Sequence, residues 1–306
     1  MITKFKFCVW LVDTLSTQTL SLKEIQNKWI NASANIEGSE LTKRSFHRYK
    51  NTAELLFDID IECDKSNGYL YKVISPTDEK NKSMQEWLLS AFRMSCLSEM
   101  VDNRNCIQLE QAPPSAELLL DIVNAINKQL TLKITYKSHY KEAKTVYLNP
   151  AFVRLFKQRW YVIGITDDSP RTYAFERMSK LETLENTSFS FTKEREEFLT
   201  PETYFEHCFG VIRLGEPLKI TFRAFWPQDA YIRDVPIHKS QKLITKTADY
   251  SDFQIYIRPT YDLIQEFLCH RDKLAILAPS SFKEEVINVL EATLKGYKTG
   301  EFQGIL

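Results

Sequence analysis

Arg159-Trp160-Tyr161-Val162-Ile163-Gly164 is the stretch that most limits what this chain can fold into. An indole and a phenol lead into an apolar pair and stop at a glycine, which suits a short half-buried strand. Tyr147–Val153 upstream and Arg171–Met178 downstream have the same character: short aromatic and β-branched runs broken by turn residues. Ile134-Thr135-Tyr136-Lys137 alternates as a strand should, with Ile134 and Tyr136 on one face. Together these runs supply four or five short strands, enough for one strongly twisted sheet or barrel of SH3- or Sm-like type at the middle of the chain.

The 306 residues are enough for two or three domains with cores of their own. Lys+Arg and Asp+Glu both count 40, so any affinity for nucleic acid must come from a local patch. The six Cys form no CxxC pair and show no metal spacing with the five scattered His, which predicts free thiols in a reducing compartment and no metal or cofactor. Met1–Leu15 resembles a signal peptide only superficially: Asp13 cuts its apolar run and no small-residue cleavage site follows. No segment approaches the ~20 apolar residues that span a membrane, so a cytoplasmic protein is expected.

Ahead of the central strands, Phe5, Cys8, Val9, Val12 and Leu15 recur at helical spacing. Ser21-Leu22-Lys23-Glu24 is a capping box that starts a second helix near Leu22, with Leu22, Ile25 and Trp29 inward. A third helix is expected over Leu41–Phe57, its buried stripe made of Phe46, Tyr49, Ala53 and Leu56. Thr42 stands at its start, and its other faces carry Lys43, Arg44, His47, Arg48, Lys50 and Asn51, with no acid until Glu54. Such a run is usually a solvated face. It is also what a major-groove reader needs, with cations on phosphates and Arg, Asn or Lys on base edges. The context favours the reader: Ile59–Cys63, an Asn67-Gly68 turn and Tyr69–Val73 make a hairpin directly after the basic helix. Helix, helix, basic helix, hairpin is the order of a winged helix-turn-helix. Asp58, Asp60, Glu62 and Asp64 on one side of the first wing strand would repel phosphate, which leaves Lys65 at the tip as the wing contact.

Ser83-Met84-Gln85-Glu86 is a second capping box, opening a helix with Trp87, Leu88, Ala91, Met94 and Leu97. Pro113-Pro114 breaks the chain, and Leu118, Ile122, Ala125 and Ile126 mark another helix. These helices read either as a dimer contact or as a packed spacer, because an apolar stripe does not say which surface it buries. In the tail, Thr200-Pro201-Glu202 starts a helix. Strands over 218–225, 237–247, 253–258 and 274–278 then alternate with helices over 228–233, 261–270 and 282–297 in a split βαβ arrangement of ferredoxin-like type. Gly296, Gly300 and Gly304 read as a loose terminus.

Ile134-Thr135-Tyr136, Asn149-Pro150, Trp160-Tyr161-Val162 and the aromatic run that ends in Arg177 together resemble a WYL domain. That family is named for a Trp-Tyr-Leu triplet and occurs in bacterial transcription regulators between an N-terminal winged helix and a C-terminal extension. Here Val162 replaces the Leu. Tyr173-Ala174-Phe175-Glu176-Arg177-Met178 lacks the first of the family's two arginines, a gap that Arg171 could fill. The resemblance implies a sensor for a nucleotide or nucleic-acid ligand. Tyr rings stack on bases and Arg forks bind phosphate, which nominates Tyr136, Lys137, Ser138, Arg159, Tyr161, Arg171 and Arg177. Trp160 is read as core.

The chain therefore reads as an α+β multidomain protein. Residues 1–75 are a winged helix-turn-helix, 76–130 a helical connector, 131–199 an SH3/Sm-like small β-barrel of WYL type, and 200–306 a ferredoxin-like extension. The eight Gly form no phosphate loop or dinucleotide fingerprint, and HExxH and GxSxG are absent, so no enzyme is expected. The expected function is a ligand-responsive homodimer whose heads read the half-sites of a double-stranded DNA operator. The alternative is a nucleic-acid-sensing accessory module without operator binding.

Overall fold

The computed structural model describes residues 2–32, 34–35, 38–57, 59–66, 68–74, 90, 110–139 and 141–301. The protein is mixed α+β and divides into two compact units, Met1–Glu110 and Gln111–Leu306. The sheets within them are antiparallel. Among the described residues no helix is long and apolar enough to cross a membrane. Cys8, Cys63, Cys208 and Cys269 are free thiols.

In the first unit, α1 (Ile2–Thr17) buries Phe7 and Leu11 as well as the expected Cys8, Val9, Val12 and Leu15. It is enclosed on more than one side, and Phe5 is only half-buried against the core. β1 (Leu20–Ser21) leads into α2 (Leu22–Ile30), which starts at the expected capping box. Ser21 N–H donates to the Glu24 carboxylate at 2.7 Å, and Glu24 N–H donates to Ser21 Oγ at 3.4 Å. The Ser21 hydroxyl and backbone donors also hold the Glu24 carboxyl below its ordinary range. The loop to the next helix is tied by buried Asn35, whose amide donates to Trp29 O and Ser39 O and accepts from Ser39 N–H.

α3 runs over Lys43–Phe57, and its buried stripe is Phe46, Ala53 and Phe57. Leu56, expected inside, is exposed. The fully buried Phe57 ring, four residues beyond Ala53, sets the stripe and turns Leu56 to solvent. β2 (Asp60–Asp64) and β3 (Leu70–Ile74) form the expected hairpin, one residue later than expected. β1 pairs with β3 through Leu20–Tyr71 and Ser21–Leu70, giving the strand order β1-β3-β2. Of the helix expected from Ser83 to Leu97, only Ser90, which is helical, is among the described residues.

In the second unit, a 3-10 turn (Ala116–Leu118) opens α4 (Leu119–Asn127). α4 packs on a five-stranded sheet of β4 (Leu130–Tyr136), β5 (Lys144–Phe156), β6 (Arg159–Thr166), β7 (Ser169–Ala174) and β8 (Met178–Ser188). The strand order is β7-β6-β5-β4-β8. Ile122 and Ala125 of α4 meet Leu132, Ile134, Leu148, Val162 and Phe175 in one core. A second core sets Phe152, Ile163 and Ile165 against Leu199, Tyr204, Phe205 and Cys208. α5 (Lys193–Phe198) and α6 (Pro201–Tyr204) bring in that segment, with Pro201 in the expected place after the Thr200 cap.

Two strand expectations need correction. Gly164 does not end β6, which continues to Thr166; it lies opposite Pro150, where β5 bulges between Pro150 and Phe152. Arg177 is not on a strand: Phe175–Arg177 is a 3-10 turn that drops the Phe175 ring into the core and carries the chain to β8, beside β4.

The C-terminal part holds β9 (Leu218–Phe225), α7 (Gln228–Asp234), β10 (Lys242–Lys246), β11 (Tyr250–Ile257), α8 (Tyr261–Cys269), β12 (Leu274–Ala278) and α9 (Ser280–Thr299). The strand order is β10-β11-β9-β12. The strand expected over 237–247 starts only at Lys242. Ile237 N–H donates to Gln241 Oε1 and Gln241 N–H to His238 O, which makes 237–241 a turn. Gly296 lies inside α9 and Gly300 caps it at φ 72°, so those two do not form a loose end; Gly304 lies outside the described residues.

His238 clamps this turn. Its Nδ1 accepts from Ser240 N–H at 3.2 Å and lies 2.7 Å from Ser240 Oγ, while Nε2 reaches Glu206 O at 3.1 Å. Burial, the larger cause, pushes its pKa below the ordinary value of 6.5, as it does for His270. The folded unit thus holds His238 neutral. Its stabilising contribution is complete above about pH 6.5 and is lost as pH falls through the lower folded value. Thermal melts from pH 7.5 to pH 5.5 should show a falling Tm. His238→Gln should lower the Tm at neutral pH and flatten the decline, leaving the part due to His270. An undiminished pH slope in that variant would remove His238 as its source.

Candidate functional site

In the first unit most of the residues expected to meet DNA lie on or beside α3. Ser45 N–H donates to Thr42 Oγ1 at 3.1 Å, which fixes the helix start, and Gln26 Nε2 holds Leu41 O at 2.6 Å. Thr42, Lys43, Arg44, His47, Arg48 and Asn51 are exposed. Arg44, His47, Arg48 and Asn51 follow the three- and four-residue spacing of one helix face. Arg48 Nη2 donates to the Tyr49 hydroxyl at 3.2 Å with its guanidinium over that ring, so it starts partly ordered.

Lys50 stands apart. Its ammonium lies 2.6 Å from Glu54, whose carboxylate also accepts Ile61 N–H at 2.9 Å. It is a strut between α3 and β2 rather than part of the exposed face. Lys65 is exposed at the hairpin tip, beside a turn in which Asp64 accepts from Ser66 N–H at 2.9 Å. Asp60, Glu62 and Asp64 are exposed along β2, with Lys72 directly across from Glu62. Asp58 lies outside the described residues.

In the second unit a polar cleft of about 390 Å³ opens between the β4–β5 connection and the β6–β7 hairpin. The hairpin is a two-residue turn: Thr166 pairs with Ser169, and Asp167 and Asp168 take φ of 49° and 58°. Tyr136, Ser138 and Arg171 line the cleft, as expected, together with Lys141, Lys144 and Tyr173, which sequence reasoning missed. The Tyr136 ring is buried and edge-on to Tyr173 at 4.9 Å, and its hydroxyl accepts from Ala174 N–H at 3.5 Å. Lys141, Lys144 and Arg171 against Glu142 and Asp167 leave the lining net positive. The polar run between two strands was the signal available for Lys141 and Lys144. Lys137 is exposed beside the cleft, and its N–H donates to Arg177 O.

The other three nominees gather elsewhere, around Glu176. Arg159 Nη1 lies 3.6 Å from Glu176 Oε1. The Tyr161 hydroxyl is pushed up by burial first and by the Glu176 charge second. Both Glu176 oxygens and Arg177 Nε are buried without a hydrogen-bond partner. Trp160 is half-buried against the α4-side core, 6.3 Å from Phe175, while Tyr161 packs on the opposite core. Strand alternation thus splits the Trp-Tyr-Val triplet between two faces. Among the described residues no group of His, Cys, Asp and Glu is placed to hold a metal ion.

Residues 117–183 match the WYL domain family, so the α4-and-sheet module is a WYL domain. Among solved structures, proteasome accessory factor B/C (PafBC) of Arthrobacter aurescens is similar over 99% of this chain and 48% of its own, with 15% identity and a TM-score of 0.43. The chain spans about half the length of that structure. A protein described as CRISPR Cas-related is similar over 97% of this chain and 92% of its own, with 12% identity and a TM-score of 0.40. No curated protein matches the chain.

Proposed function

We propose that the chain is a ligand-responsive, DNA-binding transcription regulator. The observation that carries this reading is the exposed Arg44, His47, Arg48 and Asn51 face of α3, set beside a β2–β3 hairpin. The order α1-β1-α2-α3-β2-β3, with β1 closing on β3, supports a winged helix-turn-helix. In that fold α3 would enter the major groove and Lys65 would touch a phosphate. The order β7-β6-β5-β4-β8 supports an SH3/Sm-like barrel, and β10-β11-β9-β12 a ferredoxin-like extension. The effector is a nucleotide or short oligonucleotide. Arg171, Lys141 and Lys144 hold its phosphate, and Tyr136 and Tyr173 form the wall behind. The protein acts as a cytoplasmic homodimer with one head per half-site. It shifts operator affinity only as far as the effector binds two arrangements unequally. It performs no catalytic step and needs no metal or cofactor.

A mobility shift on DNA upstream of the protein's own gene, over a salt series with and without short oligonucleotides, tests this reading. A salt-sensitive shift that an oligonucleotide alters supports it. The acidic row Asp60, Glu62 and Asp64 favours the second reading, an accessory nucleic-acid sensor without operator binding. No shift at low salt from folded protein would select that second reading. Arg171→Ala should weaken effector binding by about tenfold to a hundredfold, the range for losing a charge-assisted hydrogen bond. Titration calorimetry with the effector checks this, and unchanged affinity would remove the cleft as the sensor.

A further inference from the structure

The C-terminal sheet has two unlike faces. Phe222 of β9, Phe253 of β11 and Ile276 of β12 share one core with Ile232 of α7, Phe267 of α8 and Phe282 of α9. All three helices therefore lie on one side, and strand alternation turns the intervening residues to the other. There Arg223 stands directly across from Asp252 and Thr221 from Gln254, with Lys242 of edge strand β10 next in line and Lys219 at the far end of β9.

The centre of this open face is an ordered stack. Arg223 Nε donates to Asp252 Oδ1 at 2.7 Å and Nη2 to Oδ2 at 2.9 Å. The Arg223 guanidinium carbon also lies 3.5 Å from the centroid of the Tyr250 ring. The carboxylate takes its edge and the ring takes one of its faces. Solvent still reaches 29% of this side chain. A cross-strand Arg–Asp pair alone is a common stabilising pair. The Tyr250 ring adds a second hold on the guanidinium, so that this planar cation is fixed from two sides. Gln254 Nε2 lies 3.5 Å from Thr221 Oγ1 beside it, a contact weak enough to yield to a ligand. Lys219 and Lys242 are exposed, and the one carboxylate in the set is spent on Arg223. The face is therefore electropositive although the whole chain is neutral.

We propose that this face binds single-stranded nucleic acid. One base stacks on the Arg223 plane, Gln254 and Thr221 meet a base edge, and Lys219 and Lys242 hold flanking phosphates. Unpaired bases stack on Arg planes as well as on aromatic rings, and sheets that present such platforms between lysines follow a strand without needing a fixed sequence. The site uses neither α3 nor the cleft of the WYL domain, so it stands or falls separately from the regulator reading.

The test is fluorescence anisotropy of the full chain with labelled oligo-U RNA and oligo-dT DNA of about ten nucleotides, against a duplex of equal length. Binding of either single strand that weakens with salt is expected, and a preference between them reports the ribose hydroxyl. Arg223→Ala should weaken it about tenfold, and Arg223→Lys should do nearly as much, because the charge stays but the plane is lost. Lys242→Glu and Gln254→Ala, which leave the Arg223–Asp252 pair intact, should each weaken it severalfold and keep the test valid if the Arg223 variants misfold. Because the WYL cleft is itself read as a site for short oligonucleotides, the series is repeated in an Arg171→Ala background, where single-strand binding should persist and still fall with Arg223→Ala. No single-strand binding at low salt would overturn the proposal. So would full affinity in Arg223→Lys, or binding in the Arg171→Ala background that Arg223→Ala does not weaken.

Discussion

Replacing Arg44 and Arg48 together with Ala should lower operator affinity by about thirtyfold or more while the first unit stays folded. Each charged contact to a base edge or phosphate contributes about 1–3 kcal/mol, and two such losses multiply. If both arginines sit on phosphates, the slope of log affinity against log salt should also fall by about 2. The fold is spared for a local reason. Both side chains are exposed, neither touches the Phe46–Ala53–Phe57 stripe, and Ala is the better helix former. Arg48 gives up its hydrogen bond and ring contact with Tyr49, an exposed interaction of small value. Lys50→Ala should behave in the opposite way, releasing Glu54 and loosening the junction of α3 with β2. Mobility shifts paired with circular dichroism separate the two cases. Wild-type affinity in a folded double variant would end the assignment of α3 as the reading helix.

Gly164→Ala should be among the most damaging single-methyl changes in the second unit. A Cβ at this position would stand 2.2 Å from Asn149 O and 2.8 Å from Pro150 Cα. Both are backbone atoms of the neighbouring strand, so no rotamer change relieves the clash; β5 or β6 has to move. Overpacking of this kind costs about 3 kcal/mol or more. For a unit of this size that corresponds to a fall in Tm of roughly 6–12 °C. Gly210→Ala is a useful comparison, because its Cβ would meet the Asp262 carboxylate and the Phe156 ring, groups that can rotate at least partly aside. Calorimetry of the two variants should rank Gly164 as the worse. A Gly164→Ala melt within about 2 °C of the parent would mean that the bulge at Pro150 absorbs the methyl group.

What was legible in the sequence was whatever local chemistry decides. Ser21-Leu22-Lys23-Glu24 started a helix where expected, Thr200-Pro201 started another, and Leu274–Ala278 was a strand to the residue. Illegible were elements that exist only through a partner. β1 is two residues long and is a strand because Tyr71 and Leu70 lie beside it. β8 is mostly exposed and polar, with no strand-like composition, and is defined by its pairing with β4. Lys157 and Gln158 adopt φ of 44° and 60° without being turn formers, because the β5–β6 register leaves two residues for the reversal. The site followed the same division. The basic face of α3 could be counted off at helical spacing. The cleft drew Lys141 and Lys144 from a loop whose path is set by the strands around it, and Arg159, Tyr161 and Arg177 went instead to Glu176.

The bulge in β5 governs how this strand can change its length. Before it, Val146 and Leu148 supply the core under α4; just beyond it, Phe152 supplies the opposite core against Tyr204 and Phe205. One strand therefore serves two interiors whose phases are offset by a single residue. A residue gained or lost between Leu148 and Phe152 would leave one interior filled and turn Phe152 away from Tyr204 and Phe205 toward the face of the other. Length variation in this module should accumulate in the 137–143 connection at the mouth of the cleft, where a change of loop length reshapes the pocket and leaves both interiors alone.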